Sequence, residues 1–281
     1  MSNFLANYDG KGRLYAAARR PYDSSLLDAT IKELGLSANS QLLDVGAGTG
    51  NLGLELVRRG YRNTIMLEPS SSMIEVATER LLELSQQSSV VGARIAQGSS
   101  TNSGLPDQSI DAILAGTAMH WFPVAESIAE FARILKPSGK VAILYTGTLE
   151  SNRPVVNEYE ELLLAHVPRY KEHKKLLFMQ SGLRAVSECF IDNMVPIDGP
   201  IIDRNFIKEE FIQWALARSF MPADEDSRRN IGPILGQFFD KNSKQGVLTL
   251  SFSSGADVGL LKKLKVQPEI KDRVSTHDRS S

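Results

Sequence analysis

Residues 42–50, which read Leu-Leu-Asp-Val-Gly-Ala-Gly-Thr-Gly, constrain the fold of this chain more than any other segment. A short apolar run, typical of a buried strand, ends at Asp44. Glycine then stands at every second position, at Gly46, Gly48 and Gly50. Residues 51–60 follow with leucines at helical spacing. A strand that turns through glycines into a helix lets a ligand approach the backbone, because no Cβ is in the way, and it points free N–H groups at that ligand. The segment therefore predicts a cofactor loop.

Apolar runs and helical spacings alternate along the first half of the chain. They predict further strands at residues 63–67, 93–96, 110–114 and 141–145, with helices at 72–84 and 128–135. This alternation implies a doubly wound parallel sheet, whose ligands lie at the carboxyl ends of the strands. Later patterns predict helices at 158–165, 174–180, 206–220 and 228–239, an edge strand with two prolines at 193–204, and a strand at 247–252.

Two cofactors fit a glycine loop of this kind. Glycines within residues 48–53 have the G-x-G-x-x-G spacing of a dinucleotide site, and Glu68 lies about 20 residues further on, where a ribose-binding acid belongs. Asp44 separates the two interpretations. An acid two residues before the first glycine would repel a pyrophosphate, whereas it suits a ligand that carries an ammonium or sulfonium group. The sequence therefore favours the second kind of ligand.

The Asp-x-Gly-x-Gly-x-Gly pattern of residues 44–50 resembles the first motif of class I S-adenosylmethionine (SAM)-dependent methyltransferases. Three later segments resemble further motifs of that family in the same order: Glu-Pro-Ser-Ser-Ser-Met at 68–73, Leu-Pro-Asp-Gln-Ser-Ile-Asp at 105–111 and Leu-Lys-Pro-Ser-Gly-Lys at 135–140. Met-His-Trp-Phe at 119–122, with Tyr15 and Arg-Pro-Tyr at 20–22, resembles a small-molecule branch that includes trans-aconitate methyltransferase-like proteins. These matches cover about residues 8–146.

The resemblance implies an α/β fold with SAM as the cofactor. The expected architecture is a Rossmann-like, doubly wound sheet of seven strands, whose final pair includes an antiparallel hairpin strand. A small helical cap between the last two strands would lie over the substrate. The expected segments are an N-terminal helical lid (1–40), the SAM-binding core (41–146), the remaining strands with the substrate cap (147–266) and a disordered tail (267–281).

The resemblance also implies cofactor contacts. Asp44 is expected to meet the methionine ammonium, directly or through water. Glu68 is expected to bind the ribose hydroxyls, with a helix N-terminal acid as the alternative interpretation. Related proteins have an acid for the adenine amino group after the third strand, but here serines follow Gly98, and a hydroxyl accepts more weakly than a carboxylate. The complete set of expected cofactor residues is Asp44, Gly46, Ala47, Gly48, Gly50, Glu68, Pro69, Met73, Ser99, Ser100, Gly116, Tyr15 and Arg20.

His120 is the candidate catalytic residue, because it follows the fourth strand, where the transferred methyl group should lie. A neutral imidazole there could take the proton of an attacking hydroxyl or amine. The alternative is a histidine bonded to backbone, since transfer from a sulfonium often needs only proximity and desolvation. Arg20 is a candidate for the methionine carboxylate, with a plain surface position as its alternative. Tyr8, Tyr15 and Tyr22 recur every seven residues, which favours packing within the core or lid.

Composition narrows the functional classes. The 281 residues have a net charge of −1, so they show no electrostatic footprint for nucleic acid or an anionic membrane. Cys189 is the single cysteine, so neither a disulfide framework nor a cysteine zinc site is expected. The sequence shows no signal-peptide pattern and no run of about 18 apolar residues, and we expect a cytoplasmic protein. The sequence has no compact carboxylate cluster at the fourth strand that would indicate a divalent-ion site, so a metal-dependent methyltransferase is not favoured.

These observations predict a SAM-dependent methyltransferase that acts on O, N or C of a small molecule and releases S-adenosylhomocysteine (SAH). Two alternatives remain open at this stage. An NAD(P)-dependent oxidoreductase is supported only by the glycine spacing and Glu68. A SAM- or SAH-binding protein without catalytic activity is compatible with every motif, because methyl transfer needs no indispensable nucleophile.

Overall fold

A computed structural model describes residues 12–13, 16, 21–87, 92–149, 153–171, 186–218, 220–222 and 224–262. The strands are β1 (Leu42–Val45), β2 (Thr64–Glu68), β3 (Arg94–Gln97), β4 (Ile110–Gly116), β5 (Leu135–Leu149), β6 (Ile191–Asp198), β7 (Ile202–Phe206) and β8 (Leu248–Leu261). The principal helices are α1 (Ser24–Leu34), α2 (Asn51–Arg58), α3 (Ser71–Gln87), α4 (Val124–Ile134), α5 (Pro154–His166), α6 (Lys208–Leu216) and α7 (Glu225–Asn242).

The described strands form one sheet in the order β3-β2-β1-β4-β5-β8-β6, with β7 also paired to β8. Strands β1 to β5 are parallel, whereas β8 is antiparallel to β5, β6 and β7. The order reverses at β1, which lies between β2 and β4. The crevice at the carboxyl ends of β1 and β4 is therefore the topological switch point, where such sheets bind ligands. The predicted α/β, doubly wound fold is confirmed.

The sheet has eight strands rather than the predicted seven, because the predicted edge strand at 193–204 is divided. Its first part, β6, pairs with the later half of β8, and β7 continues along the same edge of β8 after a break at residues 199–201. Pro200 lacks a backbone N–H and so cannot donate to a ladder. The Gly199 N–H still donates to Ser254 (2.9 Å), which keeps the two strands in line.

Several predicted boundaries were also wrong. The sequence predicts a helix at 206–220, but Phe206 is the last residue of β7 and pairs with Leu248, and α6 begins at Lys208. The predicted helix at 128–135 ends at Ile134, and Leu135 already pairs with Ile110. A register shift in the β4–β5 ladder accommodates the additional residues. The predicted helix at 174–180 and the tail at 267–281 lie outside the described residues.

Helices cover both faces of the parallel strands, which explains their continuous apolar sequences. Successive residues of β1 point to opposite faces. Leu42 packs with side chains of α1 and α2, whereas Leu43 packs in the cluster that contains Phe131 of α4. No helix in the described part of the chain combines the length and apolar character needed to cross a membrane.

A separate aromatic cluster packs α5, α6 and α7 against β7 and the first half of β8. We call these three helices the helical cap. Their position follows from the sheet register: Gly116, the last residue of β4, pairs with Leu144, and β5 continues to Leu149, which pairs with Phe252. The residues of β8 before Phe252 therefore extend beyond the carboxyl ends of the parallel strands. The cap therefore lies at the same end of the strands as the glycine loop, and its role as a substrate domain stays a prediction.

Candidate cofactor and active site

The loop between β1 and α2 is left-handed at each of its three glycines. The φ angles of Gly46, Gly48 and Gly50 are 69°, 56° and 81°, a region that side chains disfavour. A Cβ at Gly46 would lie 2.7 Å from the Ala118 Cβ, so a side chain there would collide with the segment after β4. The loop is fixed at its start by N–H bonds from Gly46 and Ala47 to the Leu67 carbonyl, at 2.9 and 3.0 Å.

Asp44 is a buried carboxylate with one oxygen bonded and the other unsatisfied. Its side chain lies at the end of β1, and Oδ2 accepts a hydrogen bond from the Gly53 N–H at 2.9 Å. Gly50, the N-cap of α2, has no side chain to do this, so Asp44 caps the helix from a neighbouring strand. Among the described residues, Oδ1 has no hydrogen-bond partner.

Burial raises the pKa of Asp44 from 3.8 to about 7. The hydrogen bond from Gly53 opposes this rise, and the negative charge of Glu68 adds to it. A carboxylate that is buried from solvent, with one oxygen unbonded among the described residues, is stabilised by a cation or N–H donor that reaches Oδ1. The site can therefore receive a positively charged group, as the sequence predicted from the position of this acid.

Glu68 ties the end of β2 to the glycine loop. Its Oε2 accepts from the Gly48 N–H at 2.8 Å, and its Oε1 accepts from the Ser70 N–H at 3.0 Å. Burial raises the pKa of this carboxyl, while the two N–H donors oppose the rise. Each oxygen keeps a further lone pair, so the carboxylate can still accept from two adjacent hydroxyls. The structure brings Glu68, Asp44 and the loop glycines together.

In the loop after β3, the two serines that replace the expected acid have different side-chain contacts. The Ser100 side chain is buried, and its Oγ accepts from Ser127 of α4 at 2.9 Å. Ser99 forms a backbone bridge with Asn102, and its Oγ lies 3.1 Å from the Thr101 Oγ1. Ser100 therefore anchors the loop on α4, whereas Ser99 is only partly buried, and a contact of either serine with adenine stays a prediction.

The segment after β4 contains the candidate base and a residue that the sequence reasoning missed. Thr117 is left-handed, with φ of 55°, and its buried Oγ1 has no hydrogen-bond partner within the described ranges. This conformation is rare for a β-branched residue and is typical of functional sites. A Gly-Thr pair after a strand gives no sequence signal for it. Gly116 itself approaches the Tyr22 hydroxyl so closely that a Cβ would lie 2.2 Å from it.

His120 lies in the 3₁₀ turn Met119–Trp121, where its ring centroid is 4.8 Å from that of Trp121. The next residue, Phe122, extends over the loop, since a Cβ on Gly46 would lie 3.1 Å from its Cζ. The imidazole is half-buried, and it is Phe122 rather than His120 that contacts the loop directly. Of the other expected contacts, Met73 is buried in α3 and Pro69 follows β2 directly. Tyr8, Tyr15 and Arg20 lie outside the described residues.

These features fit a cationic adenosyl cofactor: glycines that admit a ligand, an unsatisfied buried acid and a second acid at the next strand. Residues 43–143 match the methyltransferase domain family. The YcgJ methyltransferase of Bacillus subtilis is 30% identical over 203 residues, which cover 72% of this chain and 74% of YcgJ. The chain belongs to the class I SAM-dependent methyltransferases. SAM is accordingly the cofactor of this methyltransferase, and the dinucleotide alternative is set aside.

Two further comparisons describe how this methyltransferase relates to its family. The crystal structure of YcgJ superimposes with a TM-score of 0.52 and 22% identity, covering 85% of this chain and 99% of YcgJ, and this likeness concerns the fold alone. An uncharacterised methyltransferase of Schizosaccharomyces pombe is 28% identical over 149 residues, which are 53% of this chain and 55% of that protein. The chain thus spans about half the length of that relative. The resemblance to the trans-aconitate branch stays a prediction.

Proposed function

We propose that this protein transfers a methyl group from SAM to an O, N or C atom of a small molecule and releases SAH. The observation that carries the proposal is the buried Asp44 carboxylate, with Oδ1 unsatisfied among the described residues, beside a left-handed glycine loop at the switch point of the sheet. When bound, SAM supplies an activated methyl group on a sulfonium.

We assign the cofactor contacts as follows. Asp44 Oδ1 receives the methionine ammonium, and Glu68 accepts from the ribose hydroxyls while it keeps its bond to the Gly48 N–H. Ser99 accepts from the adenine amino group. The left-handed glycines allow the ligand to lie against the loop backbone. Pro69, Met73, Tyr15 and Arg20 are further proposed contacts.

The position and apolar composition of the helical cap favour a small-molecule substrate. The cap lies at the same end of the strands as the cofactor loop, and its apolar side chains Ile212 and Leu216 are only partly buried. Its buried core is formed by aromatic side chains in mutual contact, Tyr159, Phe211 and Trp214. A net charge of −1 gives no general attraction for nucleic acid. We therefore propose an acceptor with apolar surface that binds between the cap and residues 116–122. With a single cysteine, Cys189, the protein is also suited to a reducing cytoplasm.

His120 is the residue that we propose as the base. A neutral imidazole in the turn after β4 can take the proton that the acceptor loses as its new bond to the methyl carbon forms. An acceptor that is already an anion or a free amine would not need this step. The effect of replacing His120 thus depends on the acceptor and reports on its chemistry.

The direct test is a screen of small molecules with methyl-labelled SAM, in which labelled product and SAH are both measured. We expect stoichiometric product and SAH from the wild-type protein, and much less of both from Asp44→Asn at a SAM concentration near the wild-type Kd. His120→Ala and His120→Gln should lower kcat by roughly 100-fold when the acceptor carries a proton to be removed. SAM binding without product from any acceptor class would instead support the alternative of a non-catalytic SAM-binding protein.

A further inference from the structure

Arg80 connects helix α3 to the cofactor loop across the start of α2. Its Nη1 donates to the Thr49 carbonyl at 2.7 Å and to the Asn51 Oδ1 at 2.6 Å. The Thr49 Oγ1 is also within reach, at 3.4 Å. One half-buried guanidinium therefore holds the turn by which the glycine loop enters α2.

Apart from these hydrogen bonds, the surroundings of Arg80 disfavour the positive charge of its guanidinium. Burial lowers the pKa of its guanidinium, and the positive charge of Arg58 acts in the same direction, with Glu83 opposing both. The group also lies at the N-terminus of α2, where the helix dipole disfavours a cation. A charge kept in such a place needs specific compensation, which here comes from Thr49 and Asn51.

The loop is consequently fastened from three separate elements. Asp44 at the end of β1 holds the Gly53 N–H, Glu68 at the end of β2 holds the Gly48 N–H, and Arg80 on α3 holds the turn between them. Asp44 and Glu68 are themselves proposed cofactor contacts. Arg80 bonds only to the loop and the first residue of α2 in the hydrogen bonds described above.

We infer that Arg80 is a positioning residue for SAM, which fixes the Thr49–Asn51 turn so that the neighbouring glycines keep the conformation that receives the cofactor. The inference rests on SAM as the cofactor but does not depend on the identity of the acceptor. Without Arg80, part of the binding free energy must be used to order the turn. The affinity for the cofactor should then fall while the rest of the fold is retained.

The test is a calorimetric titration with SAH of the wild type, Arg80→Ala and Arg80→Lys, together with thermal unfolding of each unliganded protein. We expect the Kd for SAH to rise roughly tenfold in Arg80→Ala, as for a lost charge-assisted hydrogen bond, and to be partly restored in Arg80→Lys. Hydrogen exchange of residues 46–52 should accelerate in unliganded Arg80→Ala. Asn51→Ala should weaken SAH binding too, and its combination with Arg80→Ala should be clearly less than additive.

Arg59→Ala is the matched control, because Arg59 binds Glu55 and Asp28 at the opposite end of α2. It should lower the melting temperature and leave the Kd for SAH unchanged. The inference is overturned if Arg80→Ala behaves like this control, with a Kd within about twofold of the wild type. It also fails if the wild type does not bind SAH, a result separate from any failure to find an acceptor. If Arg80→Ala does not fold, Arg80→Lys and Asn51→Ala decide the question.

Discussion

The Gly48 N–H donates to the Glu68 carboxylate at 2.8 Å, so the acid that ends β2 holds the loop that follows β1. The same carboxylate also accepts from Ser70 at the start of the next segment. A single side chain thus fixes the loop and offers its remaining lone pairs to a ligand. Glu68 therefore both holds the glycine loop in place and is a proposed contact for the cofactor, so a change at Glu68 should affect both.

Glu68→Gln should weaken both the attachment of the loop and the binding of the cofactor. The glutamine NH₂ group is a hydrogen-bond donor, so it cannot accept from the backbone N–H of Gly48 or Ser70 that it would face. We expect the Kd for SAH to rise roughly 10- to 100-fold and the free energy of unfolding to fall by about 1–3 kcal/mol. Calorimetry and urea unfolding measure the two effects. Glu75→Gln, an exposed acid on α3, is the control and should change neither quantity. Unchanged SAH affinity in Glu68→Gln would contradict the assignment.

The raised pKa of Asp44 predicts that cofactor affinity depends on pH. An ammonium group favours the ionised carboxylate, and this form predominates only above the pKa of about 7. SAH affinity should therefore decrease as the pH falls below 7, by up to roughly tenfold per unit, and binding at pH 6 should release a proton. Calorimetry in buffers of different ionisation enthalpy measures that proton. Asp44→Asn should bind weakly without this dependence, and a flat wild-type profile would refute the prediction.

Stability should change with pH in the opposite sense. Because the folded state raises the pKa of Asp44 above its ordinary value of 3.8, the folded protein holds this proton more tightly than the unfolded chain. The contribution of this group is complete below 3.8 and is lost as the pH rises through about 7. Between pH 5 and 8, the unfolding free energy of the unliganded wild type should decrease relative to that of Asp44→Asn. If the unfolding free energies of the two proteins changed in parallel between pH 5 and 8, the prediction that Asp44 titrates in this range would be wrong.

Ser99→Asp should strengthen cofactor binding, because a carboxylate accepts from the adenine amino group more strongly than a hydroxyl. We expect the Kd for SAH to fall roughly threefold to tenfold. The inosine analogue of SAH, which lacks the amino group, should show no gain. Ser100→Asp should fail to strengthen binding, since the Ser100 hydroxyl is packed against Ser127. Equal gains for both ligands would exclude the proposed contact.

Thr117→Val tests the unsatisfied hydroxyl after β4. Removing a buried hydroxyl without a partner among the described residues should raise the free energy of unfolding of the unliganded protein by about 1 kcal/mol. Turnover with an identified acceptor should nevertheless fall severalfold if the hydroxyl serves the reaction. Thr117→Gly relieves the left-handed strain without a hydroxyl and is the companion variant. Greater stability with full turnover would assign Thr117 no role in the reaction.

The cofactor loop could be predicted because its determinants are contiguous. Asp44 and the glycines lie in one segment, and the alternation of strands and helices placed Glu68 at the neighbouring strand end. The parallel sheet followed from the same alternation. Each of these features depends on local sequence chemistry, which a single chain displays directly.

Other features depend on contacts between distant segments, which local patterns do not display. The hydrogen bond from Arg80 to the Thr49 carbonyl joins α3 to the loop before α2, and the sequence of a helical arginine gives no sign of it. Thr117 is left-handed where its N–H donates to the Leu144 carbonyl of β5, a contact between segments that are distant in sequence. Pro200 indicates in the sequence that the strand is interrupted between β6 and β7. That both strands continue along β8 depends on the length of β8, which the local sequence does not show.

The central claim is that Asp44 and the glycine loop bind an adenosyl cofactor. Calorimetric titration of the wild type and Asp44→Asn with SAM, SAH and NADH at pH 8 tests it most directly. We predict that the wild type binds SAM and SAH but not NADH, and that Asp44→Asn loses at least roughly 30-fold in affinity for both adenosyl ligands. Binding of NADH by the wild type, or equal SAH affinity in the two proteins, would contradict the account.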